Sequence, residues 1–410
     1  MILILASEFD QEARAIAKQR DAFIVTPADL SKPGWRYELP GRGNDLIVAS
    51  GQKIAARDIT EVLNRLSYLE PRDLNGIAHD DRPYVAAEMN AFLVALLDSL
   101  NPPAQVAPVR TRPSPTGSHI LLWGLPADRP LSRVHEELRR LNAPVWLLDQ
   151  RDVLDTKVCG RQVHVRGESF SLDEVKSVYL RCYDSTQLPH VLERSEEARR
   201  YAAEVDAAIT RWLETTAAFL VSPFDAMSAN DSKPYQLRAI AEFGWRIPAT
   251  LITTDPHAAR DFWKRHGDVI YKSISGIRSR VSRLSPGHES RLEDVTSCPT
   301  QFQEFIPGTD YRVHVVGRDA FACQVLSQGD DYRYTEAEYI ACQLPLEIEK
   351  RCCRMSAAMR LPVSGIDLRQ TPDGDWVCFE VNPSPGFTAY EDITGQPIAA
   401  AIARLLVDPT

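Results

Sequence analysis

Short apolar runs alternate with amphipathic stretches through the first half of the chain. Met1–Ala6 and His119–Trp123 are apolar runs of strand length. Each precedes a helix-like stretch, Glu12–Arg20 and Arg133–Leu141, and then a second short strand, Ala22–Val25 and Pro144–Leu148. Strand–helix–strand order predicts a small parallel βαβ sheet in each place. The correspondence continues: Ile47–Ile54 sits against Val163–Phe170, and helices are predicted from Tyr84 to Leu100 and from Tyr201 to Ala218. Tyr84 and Tyr201 lie 117 residues apart, close to the 118 between Met1 and His119. A constant offset predicts an internal duplication.

Asn101–Ser118 separates the copies and holds Pro102, Pro103, Pro108, Pro113 and Pro115. Such a stretch suits an extended linker rather than a helix. The expected division is residues 1–115, 116–225 and 226–410. Copy one reads either as a structural cap or dimer contact, or as a docking module for a macromolecular substrate.

Composition narrows the class. A 46.0 kDa chain of 410 residues, 44% hydrophobic and 25% charged, predicts a globular enzyme of two to four domains with an ample core. A net charge of -9 and a pI near 5.6 disfavour nucleic acid and anionic membrane as partners. The N-terminus lacks a basic n-region, and no apolar run reaches the length of a membrane helix. The eight cysteines form no CxxC pair, so they read as small apolar residues of a reducing compartment, and the expected location is cytoplasmic.

The strongest chemical signal lies near the C-terminus. Gly365–Leu368 and Val377–Gly386 flank Asp373-Gly374, a hairpin turn. Asp367 falls on one strand and Glu380 and Asn382 on the other, the latter two facing one way. Acidic residues across a hairpin are often plain surface charges. Here Ile366, Leu368, Val377, Phe379 and Val381 flank them, and carboxylates in an apolar strand need a partner. Two carboxylates and an amide oxygen suit Mg²⁺. Upstream, Lys233 precedes a helix-like run, and Lys272 ends the strand Val269–Lys272 and opens the loop Ser273–Arg280. A lysine so placed can neutralise phosphates, although most lysines are solvated. Gln301–Asp310 reads as a strand ending in a turn. The next strand, Tyr311–Gly317, puts Arg312 and His314 on one face, either an exposed strand edge or a fixed cation beside the metal site.

Taken together, Lys233, Lys272, Gln303-Glu304-Phe305-Ile306, Asp310-Tyr311-Arg312-Val313-His314, Asp367 and Glu380-Val381-Asn382 resemble the RimK-like branch of the ATP-grasp superfamily, from about Asn230 to Leu406. The unit before it, about His119 to Pro223, resembles a pre-ATP-grasp domain. The resemblance implies an α/β protein: an ATP-grasp fold of two α+β subdomains gripping ATP, preceded by one or two small parallel-sheet βαβ units. The lid subdomain would span about 235–305. It further implies a carboxylate–amine ligase working through an acyl phosphate and releasing ADP. Lys233 and Lys272 would meet the ATP phosphates, with Ser275 and Gly276 in the lid loop. Gln303, Glu304, Phe305 and Ile306 would form the hinge at adenine, with Asp310 beside them. Asp367, Glu380 and Asn382 would hold Mg²⁺, for which Mn²⁺ could substitute, and Arg312 would steady the acyl phosphate. Arg312 and Lys272 are the catalytic candidates.

The lid departs from the family pattern by having a single glycine, so Arg278 and Arg280 are candidates to replace backbone amides at the phosphates. The acceptor is less legible. Asp330–Tyr334 could grip a substrate or be a polar loop. The resemblance implies a small-molecule or peptide substrate, with a leader peptide or carrier protein as candidate partner of copy one, and allows a homo-oligomer. Two alternatives stand beside the amide ligase: ester or amide crosslinking of a ribosomally made peptide, and a non-catalytic nucleotide-binding module.

Overall fold

A computed structural model describes residues 1–41, 45–100, 117–276, 281–327 and 337–409. The Pro-rich linker at 101–116, the tip of the lid loop at 277–280 and the acceptor-loop candidate at 330–334 lie outside the described residues. Within them, the chain opens with β1 (Ile2–Leu5), α1 (Gln11–Arg20), β2 (Phe23–Val25), the one-turn α2 (Pro27–Leu30), β3 (Arg36–Leu39), β4 (Leu46–Ala49), β5 (Gln52–Ala55), β6 (Glu61–Asn64) and α3 (Arg82–Leu100). Strands β2, β1 and β6 pair in parallel. The second unit runs β7 (His119–Gly124), α4 (Arg129–Arg140), β8 (Val145–Asp149), β9 (Lys157–Cys159), β10 (Gln162–Val165), β11 (Glu168–Ser171), β12 (Val175–Arg181), α5 (Pro189–Leu192), α6 (Glu196–Thr215) and β13 (Phe219–Val221). Its parallel sheet has the order β13-β12-β7-β8.

Several local features recur in the two units. Asp21 and Asn142 both sit just past the first helix in the left-handed region, φ 50° and 53°. The β4–β5 hairpin turns through Ser50-Gly51 and the β10–β11 hairpin through Arg166-Gly167, all four with positive φ. Paired positive φ values give the turn whose twist matches a two-residue hairpin.

What each hairpin joins is different. In the second unit β9, β10 and β11 make a sheet of their own. In the first, β3, β4 and β5 run into a seven-stranded sheet, β16-β15-β17-β14-β3-β4-β5. That sheet includes β14 (Thr250–Thr253), β15 (Val269–Lys272), β16 (Ser282–Arg283) and β17 (Thr300–Glu304), preceded by α7 (Phe224–Met227) and α8 (Lys233–Glu242), with α9 (Pro256–His266) between β14 and β15. Antiparallel pairing sets Leu251 against Glu38 and Ile252 against Tyr37. Residues 36–55 thus share a sheet with 250–304, across the boundary expected near 115. The reason is the free edge of β14, which β3 satisfies while burying Tyr37 and Leu39.

The last sheet has the order β20-β19-β18-β21-β22 and is antiparallel throughout. Its strands are β18 (Thr309–Val316), β19 (Asp319–Ser327), β20 (Ala337–Cys342), β21 (Val363–Gln370) and β22 (Trp376–Asn382), with α10 (Leu346–Ala358) before β21 and α11 (Thr388–Thr394) and α12 (Ile398–Val407) closing the chain. Asp367 faces Glu380, as the hairpin pattern predicted.

One hydrophobic core runs from the first unit into this sheet, joining Trp35, Tyr37 and Phe92 with Leu237, Ile274, Ile366 and Val381. Trp35 meets Phe92 edge-on at 5.5 Å and donates its indole N–H to the Asp29 carbonyl at 2.8 Å. No disulfide ties the cysteines; burial pushes the Cys298 and Cys323 thiols up to about 12. No helix among the described residues is long and apolar enough to cross a membrane.

The shared core makes unfolding of the two regions one event. Trp35→Ala should cost about 3–5 kcal/mol. A urea titration should show it as a lower midpoint, with amide protection in β14 lost together with that in β3.

Candidate active site

Register across three strands builds the centre of the site. Arg312 on β18 pairs with Asp367 on β21, and Asp367 pairs with Glu380 on β22. Two residues along, His314, Gly365 and Asn382 form a second row on the same face. A cation and two carboxylates are thereby lined up by backbone hydrogen bonds alone. Arg312 Nη1 donates to Asp367 Oδ1 at 2.7 Å, and the guanidinium is nearly buried. Gly365 leaves the space it occupies: a Cβ built there would overlap Arg312 Nη2. A bulge beside Asp367 shifts the register, so Leu368 faces Cys378. Asn382 Oδ1 accepts from the Ser384 N–H at 2.9 Å, starting the turn that ends β22.

His314 supports Arg312 from below. It is fully buried, and Arg312 Nε donates toward its Nε2 at 3.5 Å. Its ring also meets Tyr390 edge-on at 4.9 Å. Burial first, and the Arg312 charge second, hold its pKa well below the ordinary 6.5. The ring is therefore neutral and adds no competing charge beside the guanidinium.

The lysines lie on other elements, α8 and β15. Lys233 is the first residue of α8, with Ser232 capping the helix. Its Nζ donates to Ser273 Oγ at 2.9 Å and to the Ser275 carbonyl, while its own N–H bonds the Ile274 carbonyl at 3.0 Å. Lys233, Ser273 and Ser275 thus form one knot at the start of the lid loop. Gly276 comes close to the chain before α8: a Cβ there would lie 3.0 Å from the Asn230 carbonyl oxygen. Lys272 ends β15 opposite Gln301 of β17.

The residues expected at the hinge are held by framework contacts. Gln303 is fully buried and donates to Thr250 Oγ1 at 2.9 Å, while its Oε1 has no partner among the described residues. Glu304 accepts from the Ala249 N–H at 2.7 Å. Phe305 lies under the Arg283 guanidinium, 3.8 Å from its ring centroid. The Ile306 carbonyl accepts from Arg369 Nη1 at 2.6 Å. Asp310 grips Arg369 with both oxygens, at 2.7 and 2.9 Å. The carboxylates of Glu304 and Asp310 therefore brace the segment between β17 and β18.

Residues that no motif announced tie these elements together. Gln236 on α8 makes a reciprocal pair with Val381, donating to its carbonyl at 2.8 Å and accepting from its N–H at 3.0 Å. This amide fixes the Lys233 helix to the strand of Glu380 and Asn382. The second unit reaches the same strand through Arg181. That side chain donates to Ser384 Oγ at 2.7 Å and its carbonyl at 3.0 Å, held by Asp128 at 2.8 Å. One signal was present in the sequence: Gln236 is three residues after Lys233, on the same helical face.

Asp367, Glu380 and Asn382 offer hard oxygen donors in adjoining positions of one sheet face, a set that suits a divalent cation shared with phosphate. Among the described residues, no three His, Cys, Asp or Glu side chains cluster as a metal site.

Residues 231–406 match the family model of the RimK-like ATP-grasp domain. The chain carries a RimK-like ATP-grasp domain, and the proteins it resembles support a ligase. A probable alpha-L-glutamate ligase of Shewanella loihica is 27% identical over 213 residues, covering 48% of this chain and 70% of that protein. One from Vibrio atlanticus is 28% identical with the same coverage. Among solved structures, the ATP-grasp ligase PsnB complexed with minimal precursor is 26% identical with a TM-score of 0.61, over 70% of this chain and 97% of that one. Another PsnB structure, with the same scores, contains a phosphomimetic variant of the minimal precursor, Mg and ADP. The ligase thus has the fold expected for it, an ATP-grasp fold preceded by parallel-sheet units.

Two outcomes follow from this geometry. Gly365→Ala should displace the Arg312 guanidinium, lowering ligase activity by about tenfold or more at a stability cost of about 1–3 kcal/mol. Steady-state kinetics beside a melting curve would separate the two effects. His314 has a native pKa below its unfolded value, so its contribution to stability is complete above about 6.5. That contribution falls away as pH drops from there toward the native pKa. His314→Gln should flatten that part of the stability–pH curve, read by urea titration from pH 7.5 to 5.

Proposed function

We propose that this ligase joins a carboxylate to an amine through an acyl phosphate, on an amino acid, peptide or carrier-protein substrate, releasing ADP and phosphate. The observation that carries the reading is the row Arg312–Asp367–Glu380, a cation and two carboxylates in register on three adjacent strands.

In this reading a substrate carboxylate oxygen bonds to the γ-phosphorus of ATP, the β–γ bridge breaks, and ADP leaves. The amine then attacks the acyl carbon, a proton leaves the nitrogen, and phosphate departs with the electron pair of the broken C–O bond. Lys233 and Lys272 offset phosphate charge, and Ser275 and Gly276 line the loop that covers it. Gln303, Glu304, Phe305 and Ile306 form the hinge at adenine, with Asp310 holding that hinge through Arg369. Arg312, already fixed by Asp367 and His314, steadies the acyl phosphate and its tetrahedral successor without reorganising. Asp367, Glu380 and Asn382 would hold Mg²⁺, or Mn²⁺ in its place, which when bound neutralises phosphate charge as a Lewis acid. A closed lid keeps water from the acyl phosphate.

A second reading is favoured by a specific likeness. PsnB, similar over 70% of this chain, was solved with a precursor. This supports a ribosomally made peptide as substrate, with ester or amide crosslinks as product. The two readings differ in product. Crosslinking removes one water per bond from a single peptide, whereas ligation joins two molecules.

The test is ADP release with Mg²⁺-ATP against pooled amino acids and peptides, with mass spectrometry of the products. Substrate-stimulated ADP is expected, and Glu380→Gln should lower it by about 100-fold or more. Stimulation that is undiminished in that variant would overturn the assigned metal role, and an absence of ATP binding would overturn the reading as a whole.

A further inference from the structure

Helix α3 belongs to the first unit, yet one of its faces is spent on the catalytic region. Glu88, Ala91 and Asp98 follow one another at helical spacing along it. Glu88 is 2% exposed. Its carboxylate accepts from the Ile274 N–H at 2.6 Å, from the Ser275 N–H at 3.2 Å and from Ser275 Oγ at 2.5 Å. One turn on, the Ala91 carbonyl accepts from Ser232 Oγ at 2.6 Å, the residue that caps the Lys233 helix. At the far end Asp98 pairs with the nearly buried Arg238 of α8 at 2.8 Å.

A buried carboxylate is costly unless its oxygens are fully engaged. Glu88 finds its donors in two successive backbone amides and a hydroxyl of another unit. Two adjacent N–H groups converging on an anion fix the direction of the peptide between them. That peptide carries the Ile274 carbonyl, to which Lys233 N–H is bonded, and it precedes the Ser275 carbonyl, to which Lys233 Nζ is bonded. Glu88 therefore sets the shape of the segment that in turn holds the lysine.

We infer that Glu88 is a positioning residue for the nucleotide-binding loop, so that the first unit contributes a working part to the ATP site. The inference rests on the proposed phosphate role of Lys233 and Lys272. It gives the first unit a part in the site: its helix α3 shapes Ser273–Gly276 from behind, through a residue that never meets the nucleotide.

The test compares Glu88→Gln with Asp98→Asn in the full-length chain, since both remove a charge from the same face of α3. Gln keeps the size of the side chain but can no longer offer two anionic oxygens to three donors. Glu88→Gln should raise the ATP KM by about tenfold, with kcat changed much less, and should speed amide exchange at Ile274 and Ser275. Asp98→Asn should lower stability and leave both readouts near wild type. Equal effects of the two variants on KM, or unchanged exchange at Ile274 and Ser275 in Glu88→Gln, would overturn the inference. Lys272→Ala separates it from the reading it rests on. If that variant binds ATP normally, the nucleotide assignment fails even where loop exchange responds to Glu88→Gln. If it loses ATP while Glu88→Gln keeps normal affinity, the positioning role alone fails.

Discussion

Like charges do not gather unless something stronger holds them, and here the holder is antiparallel register. The strand pairing of β18, β21 and β22 puts Arg312 opposite Asp367 and Asp367 opposite Glu380 before any side chain chooses a rotamer. The guanidinium lies between strand and carboxylate because Gly365 has no side chain to fill that space. A buried ion pair of this kind gains little net stability over an apolar substitute, while removing one partner strands the other. In the proposed reaction its value is preorganisation: charge would stand ready where charge must be met, so little would have to move. His314, kept neutral by burial and by its cationic neighbour, completes the arrangement without disturbing its balance.

The surrounding units then brace this sheet and the helix that carries Lys233. Gln236 mimics a strand and binds α8 to β22. From the second unit, Arg181 locks the turn after Asn382. From the first, Glu88 and the Ala91 carbonyl hold the loop and the helix cap next to Lys233. Each brace is a buried or partly buried polar group with hydrogen-bond partners, and such networks specify one geometry more sharply than apolar packing does.

What was legible in the sequence was local or periodic. The Asp373-Gly374 turn and the alternation around it placed Asp367, Glu380 and Asn382 on one face without any knowledge of the fold. The strand–helix–strand order of both units also showed. Pairing over long separations did not show. Nothing in Arg36–Leu39 says that its partner lies more than two hundred residues on, because alternation fixes a face and not a neighbour. Asp310 reads as one member of a motif, and its partner Arg369 could come only from register. Glu88 had a weak signal, a lone acid in the apolar run Val85–Leu96, but its donors sit in another unit. A buried carboxylate announces that a partner exists and is silent about which.

The seven-stranded sheet imposes an order on synthesis. Strands β3 to β5 leave the ribosome long before β14 is made, so one edge of that hairpin group waits unpaired while the whole second unit is translated and folds. Pairing across such a separation is slow, and an open strand edge invites the wrong neighbour in the meantime. The nascent first unit is therefore the stage of this chain's life most exposed to aggregation, and the one at which a chaperone has most to do.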